Sequence, residues 1–301
     1  MHKVSVLIPT YNAHNYIIDL LSKLSNQEIG NDELEIIIVD SSSKDDTVEL
    51  VQNNFPNVQV FVIPNDQFDH GGTRNLLVSK ASGDYLLFMT QDAIPYDNYL
   101  IQNLLSSFTD DVLISYARQI PRESAKPTEQ FARSFNYPDR GVIKDKSTIE
   151  ELGIKNFFNS NVCSMYKREV FDSYQFPEKI ILNEDMILAS ETILDGYKVC
   201  YAHEARVYHS HNYTMLQQFK RYFDIGMAFK DTEYLLKYAS NEKEGAKFVK
   251  QLLRYLFKKR YYYLIPVAVL ETMAKYAGYL LGKNHKKLPV TVKRTLSAYM
   301  K

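Results

Sequence analysis

The first half of the chain alternates short apolar runs with amphipathic stretches. Residues 4–9, 35–40, 58–63 and 85–89 are rich in β-branched or aromatic side chains and are bounded by turn formers. Their near-continuous apolarity predicts strands covered on both faces. Between them, Tyr16, Leu20, Leu21 and Leu24 share one helical face, and residues 46–53 and 73–82 also read as helices. Strand and helix in repetition predict an α/β fold with an open, mostly parallel twisted sheet and flanking helices. From about Ser115 to Asn159 the pattern loosens, with Pro121, Pro127, Pro138 and Gly141 punctuating a polar segment, so a loop-and-helix insertion is expected there. Order returns at 160–166, in a helix over 183–194, and in two strand-like runs, 198–202 and 206–208. Beyond Thr214 the pattern is helical, which divides the chain into a globular unit, 1–215, and a helical C-terminal region, 216–301.

An apolar content of 45% and balanced charge exclude a disordered chain. Cys163 and Cys200 are too few for a disulfide framework or a zinc knuckle, so a reducing cytoplasm is expected. The N-terminus enters a strand-like run at once, and no signal peptide is expected. Of the 36 basic and 36 acidic residues, fourteen basic and only three acidic ones lie in 241–301. An acidic body and a basic tail suggest that the tail meets a polyanion.

Open α/β sheets bind ligands beyond the carboxyl ends of their strands, so the polar residues after each run carry the candidate chemistry. No G-x-G-x-x-G follows the first run and no G-x-x-x-x-G-K-[ST] occurs, which argues against a dinucleotide enzyme and a P-loop NTPase. Asp92 follows the fourth run and either caps a helix over 96–106 or holds a hard divalent cation. Glu184 and Asp185 open a helix, where they act as caps or supply a general base. His209 and His211, spaced i, i+2 at a strand end, point to one face and can serve a metal or phosphates together. The segment 66–75 joins Asp69, His70, Arg74 and Asn75 to Gly71 and Gly72, which allow close backbone approach. Its plainer reading is a Gly-Gly turn with Thr73 as N-cap.

Taken in order, PTYN, VDSSSKDDT, the glycine and Arg-Asn loop, Gly83-Asp84 before an apolar run, Gln-Asp-Ala and Glu-Asp resemble the family-2, GT-A-fold glycosyltransferases over about residues 3–215. FDHGGTRN, TQDA and HSH are similar to the bacterial rhamnosyltransferase branch. The resemblance implies that Pro9, Thr10, Tyr11 and Asn12 line a nucleotide pocket and that Asp40 accepts the N3–H of the base. It places Ser42, Asp69, His70, Gly71, Gly72, Asn75 and Gln91 around the nucleotide sugar, with Arg74 near the diphosphate. Asp92 matches the last acid of the family's D-x-D motif and would bind Mg²⁺ or Mn²⁺. The first position of that triplet is Thr90 here, so His209 or His211 would complete the shell. Asp185, beside Glu184, would be the base of an inverting transfer. The implied donor is dTDP-L-rhamnose, with a UDP-hexose as the rival, and the acceptor is a cell-surface or polyprenyl-linked glycan. A non-catalytic carbohydrate-binding or assembly protein on the same fold is the reading from another class.

In the tail, residues 254–263 interleave aromatics with four basic residues, and the uncharged run 261–270 is ten residues long, short of the roughly 20 that span a bilayer. A basic, aromatic helix in the headgroup region of an anionic leaflet is expected, hence a peripheral location on the inner face of the cell membrane. No nucleic-acid motif accompanies the charge. The rival arrangement packs these helices on the body or on a second copy as a homodimer.

Overall fold

A computed structural model describes residues 2–109, 111–237 and 241–300. The expected helicity of 238–240 lies outside the described residues. Nine strands form one sheet: β1 (Lys3–Thr10), β2 (Glu33–Asp40), β3 (Gln59–Val62), β4 (Tyr85–Met89), β5 (Ile94–Pro95), β6 (Val112–Ile120), β7 (Val142–Lys144), β8 (Cys163–Lys167) and β9 (Lys198–Tyr208). Their order is β3-β2-β1-β4-β8-β6-β9-β5, with β7 paired to β9.

The first part of the sheet follows the apolar pattern. β1 to β4 pair in parallel, and β1, β2 and β4 are buried along most of their length. Two apolar layers cover them, one built on α1 (His14–Ser25) and α4 (Leu100–Leu105), the other on α3 (His70–Lys80) and α8 (Glu184–Leu194). α2 (Thr47–Asn54) packs beside α1. Beyond β4 the sheet is mixed: β8 is antiparallel to both β4 and β6, β9 runs parallel to β6, and β5 and β7 are antiparallel to β9. Parallel pairing is therefore confined mostly to the N-terminal half.

Three expectations are corrected. The loosened segment opens with β6, a central strand of nine residues. Its polar residues hid it: Ser115 and Gln119 are buried, each with a side-chain hydrogen-bond partner. The insertion itself contains α5 (Pro127–Asn136), begun by proline, and the short α6 (Ile149–Leu152). The runs 198–202 and 206–208 are one strand, whose pairing with β6 shifts register between Ala117 and Arg118. The helix expected over 96–106 is only α4, because 94–95 pairs with β9 first. Asp92 thus caps no helix.

After the short α7 (Val170–Ser173) and α8, the chain leaves β9 for α9 (Met215–Asp231), which opens on a capping box between Thr214 and Gln217. α10 (Asn241–Lys258), α11 (Ile265–Lys283) and α12 (Val290–Leu296) complete the C-terminal region. α11 lies on α9 with backbones in contact. A Cβ on Gly278 would fall 2.3 Å from the Phe219 carbonyl oxygen, and one on Gly282 would fall 2.0 Å from that of Phe223. Gly278→Leu is accordingly expected to pry the two helices apart and cost at least about 1–3 kcal/mol in denaturant unfolding. Gly245→Ala in α10, where nothing lies within 4 Å, is expected to be neutral or to stabilise by about 0.5–1 kcal/mol. Equal stability of Gly278→Leu and the parent would contradict the close contact.

Candidate active site

The parallel register sets the ends of β1 and β2 level, Thr10 opposite Asp40, with β4 on the other side of β1. Three loops leave this edge, tied together by their own polar groups. Thr10 Oγ1 donates to Asp40 Oδ2 (2.7 Å), while Ser43 donates its N–H to Oδ1 (2.7 Å) and its hydroxyl to Oδ2 (2.6 Å). Asn12 and Ser42 take left-handed backbone, φ 50° and 58°. The Asn12 N–H donates to Ser43 Oγ, and Ser42 Oγ donates to the Ile63 carbonyl. Gln91 clasps Tyr11, accepting its N–H at 2.8 Å and donating to its carbonyl at 3.1 Å. Pro9, Thr10, Tyr11 and Asn12 therefore form a braced wall with the Tyr11 ring partly exposed. Asp40 is fully buried, and its carboxylate accepts from Thr10 and Ser43, which shapes the loop between the two strand ends.

Asp92, His209 and His211 converge. Asp92 Oδ2 lies 3.5 Å from His209 Nε2 and 3.3 Å from His211 Nε2, and the three ligand atoms lie within 4.8 Å of one another. His209 Nδ1 is 2.8 Å from Gln119 Oε1, an acceptor, which assigns the ring proton to Nδ1 and leaves a lone pair on Nε2. That Nε2 stands 3.0 Å from His211 Nε2. Burial disfavours protonation of both rings, pushing His211 down to about 4. Lone pairs facing at this distance repel unless a cation or proton lies between them, and a carboxylate with two neutral imidazoles is a fitting donor set for a divalent cation. Burial alone would raise the Asp92 carboxyl, but its close contacts with His209 and His211 hold it well below the usual carboxylate range. Arg122 fixes the loop by donating to the Asp92 carbonyl at 2.7 Å.

Asp185 and Glu184 open α8 behind Asn183, a left-handed residue at φ 73°. Glu184 is buried and ion-paired with Arg74 at 2.9 Å. Asp185 accepts the N–H groups of Asn161 (2.9 Å) and Met186 (2.8 Å). Burial, reinforced by the neighbouring Glu184 charge, pushes its carboxyl up to about 7. Two adjacent acids thus differ in surroundings, one paired with Arg74 and the other titrating near neutrality.

The 66–75 segment is corrected in several details. Asp69, not Thr73, caps α3, accepting from Gly72 N–H at 2.7 Å, and also receives the Lys179 N–H. Gly71 is required by Pro177, whose carbonyl oxygen would lie 2.0 Å from a Cβ. Asn75 clasps Phe176 with both of its amide atoms, and Arg74 turns inward to Glu184 and the His70 carbonyl. These residues hold the approach to α8. His70 alone turns to the tail, its ring 5.8 Å from that of Tyr299.

Gln119 joins the two halves. Its Oε1 accepts from His209 and Arg133, and its Nε2 donates to Tyr137 and, at 3.0 Å, to Ser160, the residue before Asn161 that holds Asp185. Sequence reasoning missed Gln119 because it lay in the segment read as irregular. It also missed Arg221 on α9, whose guanidinium lies 5.7 Å from the Tyr213 ring, itself stacked on His211 at 4.9 Å. Arg221 Nη1 donates to the Tyr299 hydroxyl at 2.7 Å, and its charge helps to lower His70, His209 and His211. No carboxylate pairs with Arg221 among the described residues. In the sequence it is one basic residue in the run Lys220-Arg221-Tyr222, indistinguishable from a solvated helix face.

Residues 5–175 match the family described as Glycosyl transferase family 2. The chain is 42% identical to the O-antigen chain rhamnosyltransferase RfbN of Salmonella typhimurium, with 99% of this chain and 95% of the relative covered. It is 40% identical to the O-antigen chain rhamnosyltransferase WbaN of Salmonella anatum over the same shares. Among solved structures, the mannosyltransferase PcManGT from Pyrobaculum calidifontis, in complex with GDP-Man and Mn²⁺, has a TM-score of 0.65 at 14% identity, covering 95% of this chain and 88% of that one. Staphylococcus aureus TarS 1–349 with UDP-GlcNAc has a TM-score of 0.54 at 15% identity, covering 95% and 91%. At such identities these two likenesses establish the GT-A-type fold.

Proposed function

Because the chain belongs to glycosyl transferase family 2, we propose that it transfers L-rhamnose from dTDP-β-L-rhamnose to a hydroxyl of a glycan or polyprenyl-linked acceptor in polysaccharide synthesis, with inversion at the anomeric carbon. That it is a glycosyltransferase close to the O-antigen rhamnosyltransferases follows from identity along nearly the whole chain. The same identity is the observation that supports rhamnose as the sugar transferred.

The chemistry rests on Asp185. It takes the proton of the acceptor hydroxyl as that oxygen bonds to the anomeric carbon, while the bond to dTDP breaks on the opposite face and dTDP departs with the electron pair. Held by the Asn161 and Met186 N–H groups, the carboxylate cannot swing away. Glu184, fixed by Arg74, keeps its neighbour's proton affinity high. A divalent cation held by Asp92, His209 and His211 would neutralise the charge developing on the diphosphate. Two imidazole donors favour Mn²⁺ over Mg²⁺, which prefers an all-oxygen shell.

The C-terminal helices support a location for this chemistry at a lipid surface on the cytoplasmic side. α11 is inverted: Ala268, Glu271, Gly278 and Gly282 face inward, while Val269, Leu270, Met273 and Tyr276 face out. The segment Tyr262–Lys283 is long and apolar enough to cross a membrane by length and composition, with mean hydropathy 1.3. Its inward Glu271 and its contact along α9 support an orientation in the plane of the interface, with the basic run 258–260 at one end and Lys286 and Lys287 beyond the other.

Release of nucleoside diphosphate from a panel of dTDP- and UDP-sugars tests the donor: turnover of dTDP-rhamnose supports the reading, and turnover of a UDP-hexose alone refutes it. In that assay kcat/KM is expected to fall about tenfold per pH unit below pH ~7, where Asp185 becomes protonated and can no longer accept a proton. Asp185→Asn is expected to lose about 10²–10⁴-fold in kcat while retaining dTDP binding. A variant as active as the parent would remove Asp185 from the role.

For the lipid surface, the full chain is expected to bind vesicles containing anionic lipid, to release in alkaline carbonate, and to lose binding when Leu270, Met273 and Tyr276 are replaced by serine. Retention through carbonate extraction would identify a spanning helix instead.

A further inference from the structure

Helix α12 ends at Leu296, and the last residues turn back from the C-terminal helices to the strand ends. Asp224 on α9 is fully buried, and its Oδ2 accepts the N–H groups of Ala298 (2.7 Å) and Tyr299 (3.2 Å). Ser297 Oγ accepts the N–H groups of Tyr299 and Met300, closing a tight turn. Burying a carboxylate is costly, and this one spends its oxygen on fastening the tail. The pinned turn sets Tyr299 at one place, with its hydroxyl on Arg221 and its ring edge-on to His70. On the other side of Arg221, the Tyr213 ring leads through His211 to Asp92. Arg221 therefore connects, through Tyr299 and Tyr213, the His70 end of α3 with the Asp92 cluster, a cation hydrogen-bonded to the Tyr299 hydroxyl.

We infer that the segment Ser297–Met300 is a wall of the donor site, and that Tyr299 is a positioning residue holding Arg221 toward the diphosphate of the sugar nucleotide. This deepens the proposed function and rests on it. An arginine is suited to phosphate because its fork gives paired donors, and only a fixed guanidinium presents them without losing freedom on binding. The tail removes that freedom. It also makes the last residues of the chain, far outside the matched residues 5–175, part of the nucleotide site.

Calorimetric titration of dTDP and of dTMP into the full chain, Tyr299→Phe, and a chain ending at residue 297 tests this. Tyr299→Phe keeps the ring on His70 and removes only the hydroxyl from Arg221. It is expected to weaken dTDP about 3- to 10-fold while leaving dTMP, which lacks the β-phosphate, unchanged. The shortened chain is expected to lose at least as much dTDP affinity, and the donor's KM to rise with it while kcat falls less. Unchanged dTDP affinity in Tyr299→Phe would overturn the inference. So would equal weakening of dTDP and dTMP, which marks a merely loosened fold. A full chain that binds neither dTDP nor UDP would refute the donor reading itself, and the inference with it.

Discussion

The site depends on the buried side chain of Gln119. Its carbonyl oxygen fixes the proton of His209 on Nδ1, and its amide reaches Ser160 beside the Asn161 N–H that holds Asp185. A strand that carries a glutamine at this position costs apolar burial, and the return is that two distant acids are referenced to one rigid point. The partners of that amide are side chains of α5 and its C-cap, of the residue just after β9, and of the loop before β8. Such networks are strong only when complete, and here both amide atoms are satisfied.

Around that point the fold sorts its carboxylates by environment. Asp92 faces two imidazoles and is kept ionised. Asp185 is buried against a second acid and is kept near its titration point. Asp40 and Asp69 are engaged by local hydrogen bonds and serve the backbone. One residue type thus stands in three different environments, with the difference set by what lies within a few ångströms.

The apolar runs made the parallel half of the sheet legible, because β1, β2 and β4 are covered on both faces and read as continuous hydrophobic stretches. β6 was illegible for the opposite reason: its buried polar residues find partners only once the chain is folded, Ser115 in Ser107 and Gln119 in Ser160. Among the site residues, Asp92 and the two histidines stood out because they follow apolar runs, and Asp185 because it opens a helix with Glu184. That Arg74 and Asp40 turn inward to protein partners was not legible, since a sequence does not show where a charged side chain points. Arg221 and Tyr299 carried no signal; only the tertiary return of the tail brings them to the strand ends. The C-terminal region was legible as basic and helical, whereas the inversion of α11 appears only once burial is known.

The central claim is that the Asp92 cluster and Asp185 flank a single cleft in which one activated sugar is held. Anomalous diffraction from crystals grown with Mn²⁺ and dTDP tests it most directly. The account predicts one manganese peak bonded to Asp92, His209 and His211, in contact with the dTDP phosphates, and an open path from there to the Asp185 carboxylate. A manganese peak elsewhere, or a nucleotide bound on a surface that Asp185 does not face, would contradict it.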